Sequence, residues 1–401
     1  VSASVPPPLE EFVTSARSFL QTVGVQRART PQASAKSRYA LFAGSTDEEI
    51  SAAIEYQRAA FDAGFGWITG PAEYGGAELP PNYERAFAAV EREYTIPSKG
   101  PLSVSLGMVA PTLARFGSES ARKRYLRGLR RADIVGCQLF SEPSAGSDLA
   151  AVRTRAESSV DGGQWTINGQ KVWTSGAHYS DIGIALTRTA DGPRHRNLTA
   201  FVIDMHAPGV DVRPLRQITG AADFNEVFLV DVGVGDSCRL GNVGEGWSVA
   251  IAMLMFERSA IGGSSSGGSG LFRMHDLAAW ITALGRQNDP SVIDAFARLY
   301  SGVVGAKAMR VRAEANLREN GAPGPEMSLG KLALTANLQL LSDLVSAVLG
   351  PKLVADTGDP QSFAWSELVL SVPGMRIGGG TDEIHRNTVA ERALGLPKDR
   401  P

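Results

Sequence analysis

The sequence predicts an α+β chain in which a β segment lies between two helical ones, and three observations predict it. Apolar residues recur at helical spacing up to about residue 131, and from Ala132 the texture changes to short alternating or apolar runs bounded by Gly, Asp and Ser. After Gly246 the helical period returns. The order divides the chain into an N-terminal helical domain (1–131), a middle antiparallel β sandwich or barrel (132–243) and a C-terminal helical domain (244–401).

In the first segment, Ile50, Ile54 and Phe61 share one face of a helix over 48–64, and Thr46 with Asp47 supplies its N-terminal cap signal. The stretches 102–116 and 119–129 read the same way, and 71–76 (Pro-Ala-Glu-Tyr-Gly-Gly) carries turn chemistry. Strands are expected at 134–140, 165–167, 170–174, 182–187, 198–204 and 227–232, with Asn168-Gly169 as a two-residue hairpin turn. Long helices are expected at 247–274, 291–320, 325–349 and 381–394. Inside the first of these, 262–270 reads GGSSSGGSG, which by composition alone is a flexible linker.

Composition narrows the function. The 401 residues carry 40 basic against 42 acidic side chains, net −2, so there is no electrostatic footprint for nucleic acid. Cys137 and Cys238 are the only cysteines, which excludes a disulfide framework and a Cys-rich zinc site, and they read as small buried residues. No metal site is expected. Residues 1–8 show neither a basic start nor an apolar core, and no window approaches 18 uninterrupted apolar residues, so a cytoplasmic address without a membrane span is expected. No Gly-x-Gly-x-x-Gly follows an expected strand and no Walker loop occurs. A Gly-x-Ser-x-Gly match at 263–267 falls in helical sequence, where a nucleophile elbow has no meaning.

More specific motifs do occur. The run 139–148 (LFSEPSAGSD) resembles the first signature of the acyl-CoA dehydrogenases. In the family's order there follow 168–175 (NGQKVWTS), 244–247 (GEGW) with 256–258 (FER), 379–384 (GGTDEI) and 390–397 (AERALGLP), so the resemblance spans nearly the whole chain. It implies the family's helical, β and four-helix-bundle domains, FAD as cofactor, a coenzyme A thioester as substrate, α,β-dehydrogenation within lipid or sterol side-chain β-oxidation, a homodimer or homotetramer, and an electron-transfer flavoprotein as acceptor.

On that resemblance, Phe140 and Ser141 lie edge-on to the flavin, Trp173 covers part of the ring, Ser175 reaches its N5 edge, and Leu139 and Thr174 are further cofactor contacts. Without the motif Trp173 would be read as a core aromatic. Ser147, beside Gly146, matches a position near phosphate and pantetheine, whereas Asp148 reads as a turn residue bonding its own backbone. Thr381 opens the last helix behind Gly378, Gly379 and Gly380, an anion site suited to pyrophosphate. Glu383 matches a FAD-bonding position, although an acidic first turn also suits the helix itself. Arg194 and Arg196 are candidate coenzyme A phosphate contacts, or a solvated basic loop.

The base departs from the commoner family pattern. Many members carry the catalytic Glu directly before the Gly-Thr of the closing loop, where this chain has Gly379, so only the backbone N–H remains there to hold the thioester carbonyl. In a second subset, which includes actinobacterial relatives with a Gly-Gly-Gly-Thr loop, the base precedes an Arg on an earlier helix, and Glu257-Arg258 matches that arrangement. Arg258 is then a substrate contact; the alternative is a helical ion pair. By the resemblance, 262–270 continues the helix of Glu257, and its five glycines would cost about 4 to 5 kcal/mol relative to alanine. That points to close packing or a wide cavity for a bulky or branched acyl group. A second departure lies at 271–274 (LFRM), where typical members have an Arg-x-x-Phe-Gly segment reaching the neighbour's FAD; Ala347 replaces a nearby Gln, and Arg273 reads as a solvated helix residue. Two other readings therefore stand beside the dehydrogenase: a flavin-dependent oxidase or N-hydroxylase on the same fold, and a non-catalytic partner subunit of a heteromer.

Overall fold

The computed structural model describes residues 6–26, 45–264, 272–320, 326–355 and 360–398. The chain divides into two compact units: the first comprises 1–32, 44–216 and 222–256, the second 33–43, 217–221 and 257–401.

The first unit begins with α1 (Leu9–Val23), α2 (Asp47–Asp62) and α3 (Pro81–Glu91), which bury Phe12, Tyr56, Phe65, Tyr83 and Phe87 together. Thr46 caps α2 in a full capping box: its side chain accepts from Glu49 N–H and the Glu49 carboxylate returns to Thr46 N–H. The expected helix at 102–116 is less regular than its spacing suggested. A π turn (Ser105–Val109) feeds α4 (Ala110–Phe116), because Pro111 has no N–H to donate and its ring crowds the preceding turn. Then α5 (Glu119–Arg131) packs Tyr125, Leu126 and Leu129 onto the sheet.

Two short strands, β1 (Val25–Gln26) and β2 (Tyr94–Thr95), pair with each other. The main sheet holds β3 (Gly136–Leu139), β4 (Arg155–Ser158), β5 (Gln164–Ser175), β6 (Ile182–Arg188), β7 (Leu198–Asp204), β8 (Val210–Leu215), β9 (Phe224–Gly235) and β10 (Arg239–Leu240). Its order is β10-β7-β6-β4-β5-β9-β8, with β3 also beside β6. All pairings are antiparallel except β3 and β4 with β6.

The hairpin expected at Asn168-Gly169 does not form. β5 runs straight through both residues with a register shift against β9. Asn168 bridges that shift, donating to the Asp231 carboxylate at 3.0 Å and accepting from Asp231 N–H at 2.8 Å. Gly169 is needed because a Cβ there would stand 2.7 Å from the Thr154 Cα.

From the first unit α6 (Gly246–Ser264) enters the second at Phe256/Glu257. Residues 265–271, within the single helix expected over 247–274, lie outside the described residues; Arg273 is extended, so α7 (Met274–Ala283) is a separate helix. Most of the Gly/Ser run and Leu271 therefore fall outside the description, as does the side chain of Arg258. In the second unit follow α8 (Pro290–Asn320), α9 (Glu326–Leu349), α10 (Pro360–Met375) and α11 (Asp382–Arg392). Leu334, Leu338, Leu341, Leu344 and Val345 of α9 form the centre of a core closed by Phe272, Leu299, Trp365 and Leu368. The segment Ser328–Leu353 is long and apolar enough to cross a membrane by composition, and more than half of it is buried in that core.

Candidate active site

In the first unit the run 139–148 leaves β3 and meets β5. Lys171 of β5 is fully buried and donates to the carbonyls of Phe140 (3.1 Å) and Leu186 (2.7 Å) and to the Glu142 carboxylate (2.8 Å). Glu142 also accepts from the N–H groups of Arg153 (2.6 Å) and Thr154 (2.9 Å). Burial pushes the Lys171 amine down to about 8 while Glu142 holds it up. For Glu142 burial acts upward, but Lys171 and the Thr154 and Arg153 donors outweigh it and the carboxyl lies below its ordinary value. The sequence reading passed over both residues because a charged pair inside a motif looks like a solvated one. Here the pair locks the Phe140–Ser141 segment against β5, and Val172 N–H adds a bond to the Ser141 carbonyl at 2.9 Å.

One consequence of this locked register is Trp173. At the second β5 irregularity, between Lys171 and Thr174, its backbone adopts φ +60° and its indole is 61% exposed, meeting the edge of Phe224 at 5.9 Å among the described aromatic rings. Positive φ at a bulky residue is strained, and an exposed indole recovers little of that cost within the unit. Next to it the Thr174 hydroxyl is buried without a hydrogen-bond partner. Ser175 is half-buried. Leu139 and Phe140 are both buried in the core, so only their backbone can meet a ligand. Half-buried Gln138, which the sequence reading missed, has a buried Nε2 without a partner and shares a strand face with Phe140.

Beside this lies a second cluster of loops. Gly146, Ser147 and Asp148 are exposed, and nothing stands within 4 Å of where a Gly146 Cβ would be. Asp148 does not bond its own backbone as expected; it forms an ion pair with Arg194. His195, at φ +76°, stacks on Trp247 with ring centroids 4.4 Å apart. Arg196 is exposed. Gly244, at φ +85°, donates to the Thr199 hydroxyl at 3.0 Å, and Gly246 lies against the β7 backbone so closely that a Cβ would fall 2.6 Å from Thr199. The 244–247 motif thus fixes the basic loop from beneath.

In the second unit the closing loop is a built structure. Gly379 and Gly380 adopt φ +69° and +88°. The Lys331 amine, on α9 and 8% exposed, donates to the carbonyls of Gly378 and Gly380, and His385 Nε2 lies 3.0 Å from the Gly379 carbonyl. Thr381 caps α11, its hydroxyl accepting from Ile384 N–H at 3.2 Å. Asp382 is buried, bonded by Thr335 Oγ1 at 2.9 Å and Arg376 Nε at 2.8 Å; burial acts to raise its pKa, yet those two partners keep it below the ordinary aspartate value. Glu383 is exposed and faces Arg386 at 3.3 Å. Glu257 is half-buried on α6, and its charge reaches Lys331. Phe272 belongs to the core, and Arg273 pairs with Asp276 at 2.8 Å.

Models of the three acyl-CoA dehydrogenase domains match the chain in order: the N-terminal domain over residues 9–133, the middle domain over 137–232 and the C-terminal domain over 244–394. The chain belongs to the acyl-CoA dehydrogenase family. Acyl-CoA dehydrogenase IpdE1 of Mycobacterium tuberculosis is 37% identical over 83% of this chain and 84% of its own. Acyl-CoA dehydrogenase FadE34 of the same organism is also 37% identical, over 82% of this chain and 44% of its own. Among solved structures, the Tcur3481-Tcur3483 steroid ACAD aligns over 100% of both chains with TM-score 0.73 and 24% identity. The ChsE4-ChsE5 complex from Mycobacterium tuberculosis aligns over 99% of this chain and 100% of its own with TM-score 0.72 and 22% identity. Both likenesses are in fold. The chain is accordingly an oxidoreductase of the acyl-CoA dehydrogenase type.

Proposed function

We propose that this acyl-CoA dehydrogenase binds FAD and converts a bulky or branched acyl-CoA to the 2-enoyl-CoA, with Glu257 as base. The observation that carries the reading is within the second unit: the closing loop has no side chain at Gly379 to act as base, while Glu257 is half-buried and electrostatically linked to the lysine that holds that loop.

The residues of the first unit fit a flavin. The strained, exposed Trp173 offers a face, and the unpartnered Thr174 hydroxyl and Gln138 amide, with the Ser141 backbone, offer bonds to ring heteroatoms. In the second unit, Thr381 and Glu383 at the N-terminal end of α11 are the proposed contacts of its pyrophosphate. FAD, when bound, supplies the acceptor for a hydride from the β carbon. Glu257 takes the α proton into its carboxylate, and the C–H electron pair moves toward the thioester carbonyl. The Gly379 N–H donates to that carbonyl oxygen as charge develops on it. Ser147, Arg194, Arg196 and Arg258 are the proposed coenzyme A contacts. Asp148 neutralises Arg194 in the absence of ligand, so phosphate binding exchanges one anion for another.

A bulky acyl group is supported by the glycines that follow Glu257 and by the likeness to a steroid ACAD. An electron-transfer flavoprotein is the proposed acceptor. Because both fold neighbours are complexes of two named chains, a heteromer stands beside the homodimer or homotetramer as a proposed assembly. The test is anaerobic incubation of the flavin-loaded protein with butyryl-, octanoyl-, branched and polycyclic acyl-CoAs and an excess of a dye electron acceptor, followed by mass spectrometry. Loss of two hydrogens from the branched or polycyclic thioesters is expected; equal conversion of butyryl-CoA would remove the bulky-substrate reading.

A further inference from the structure

The three consecutive carbonyls of Gly378, Gly379 and Gly380 are each met by a side chain: Lys331 Nζ donates to the first and third, and His385 Nε2 lies beside the second. Such an arrangement does more than close a loop. No described peptide bond is cis, so in the peptide joining Gly378 to Gly379 the C=O and the N–H point in opposite directions within one rigid plane. Lys331 grips the C=O side, and the Gly379 N–H is therefore directed away from the amine. A positive donor on a peptide oxygen also withdraws electron density across the amide and makes its N–H a stronger donor.

We propose that Lys331 is a positioning residue for the reaction, aiming and polarising the Gly379 N–H that receives the thioester carbonyl. The inference rests on the reading of Gly379 given above and adds to it a charge that the N–H itself lacks. Since carbonyl polarisation acidifies the α carbon, Lys331 assists proton removal without touching the substrate. Burial lowers the amine's pKa, and the charges of Asp382 and Glu257 offset part of that. Arg376 already pairs with the Asp382 charge and the Thr335 hydroxyl bonds its other oxygen, so the lysine is not needed to hold that carboxylate in place.

The test uses acetoacetyl-CoA and the purified flavin-loaded protein at one fixed pH. The 3-oxo group makes the α carbon acidic, and the enolate is read by its ultraviolet absorbance. The wild type should hold more of the bound ligand as enolate than buffer does. In Lys331→Met that excess should fall about three- to tenfold while affinity for coenzyme A itself is unchanged. Lys331→Gln keeps a donor to the loop carbonyls and removes only the charge, and it should lose the excess too; it decides the matter if the Met variant does not fold. An undiminished excess in the Gln variant overturns the role of Lys331 and leaves the dehydrogenase reading intact. No excess in the wild type overturns the thioester reading of Gly379 and this inference with it.

Discussion

Trp173 is the residue at which sequence and structure say most to each other. Its motif suggested a flavin cover, its chemistry suggested a core aromatic, and its backbone at φ +60° with the indole in solvent removes the second account. Replacement by glycine relieves the strain and loses the Phe224 edge contact, two effects of similar size. Trp173→Gly is expected to change the stability of flavin-free protein by no more than about 1 kcal/mol, while flavin retention through gel filtration falls markedly. The Lys171–Glu142 pair behaves oppositely. Lys171→Met leaves a carboxylate buried without its cation and should cost about 3 to 5 kcal/mol in denaturant unfolding, part of which the added change Glu142→Gln restores. Asp382 carries a pH signature. Its folded pKa lies below the ordinary 3.8, so its contribution is complete above that value and is lost as pH falls through the folded one. The stability gap between wild type and Asp382→Asn should thus be full at pH 7 and close below about 3.8; a gap constant down to the acid transition would refute the assignment.

Among the elements, α2 was legible because a cap residue, Thr46, and a 3.6 period agree, and α5 from its period alone, its cap Ser118 appearing in the structure. Thr46→Ala is expected to cost about 1 kcal/mol in thermal or urea unfolding. β5 was not legible. Asn168-Gly169 has hairpin composition, but Gly169 serves a close approach to Thr154, a non-local demand that local pattern does not carry. Accordingly Gly169→Val should destabilise by about 1 to 3 kcal/mol or more through overpacking. β4 escaped notice because its residues are mostly polar and exposed, and the edge strand β8 because its alternation is short and runs into Pro214. The two parallel pairings with β6 were hidden for the same reason as any register: pairing partners are chosen in space. Lys331 had no signal at all, being one lysine in an apolar helix whose purpose appears only when the glycine carbonyls lie beside it.

For the whole molecule, helical ends around a β middle were legible from period alone, and the family from five short motifs. The chemistry was legible less evenly. Glu257 and the glycine loop stood out because a base is required and its usual place is empty of a side chain. Lys331 and Asp382 beside the glycine loop, and Lys171 and Glu142 beside the Phe140–Ser141 segment, act through backbone carbonyls, N–H groups and nearby side chains, and their pattern exists only in the folded chain. The dehydrogenase account depends above all on Glu257 taking the α proton when a thioester and flavin are both present. The most direct measurement is therefore the flavin absorbance of purified protein under anaerobic addition of branched and polycyclic acyl-CoAs, in wild type and Glu257→Gln. The account predicts that the band bleaches in the wild type and persists in the variant, with flavin content equal in both; bleaching at the same rate in Glu257→Gln would contradict it.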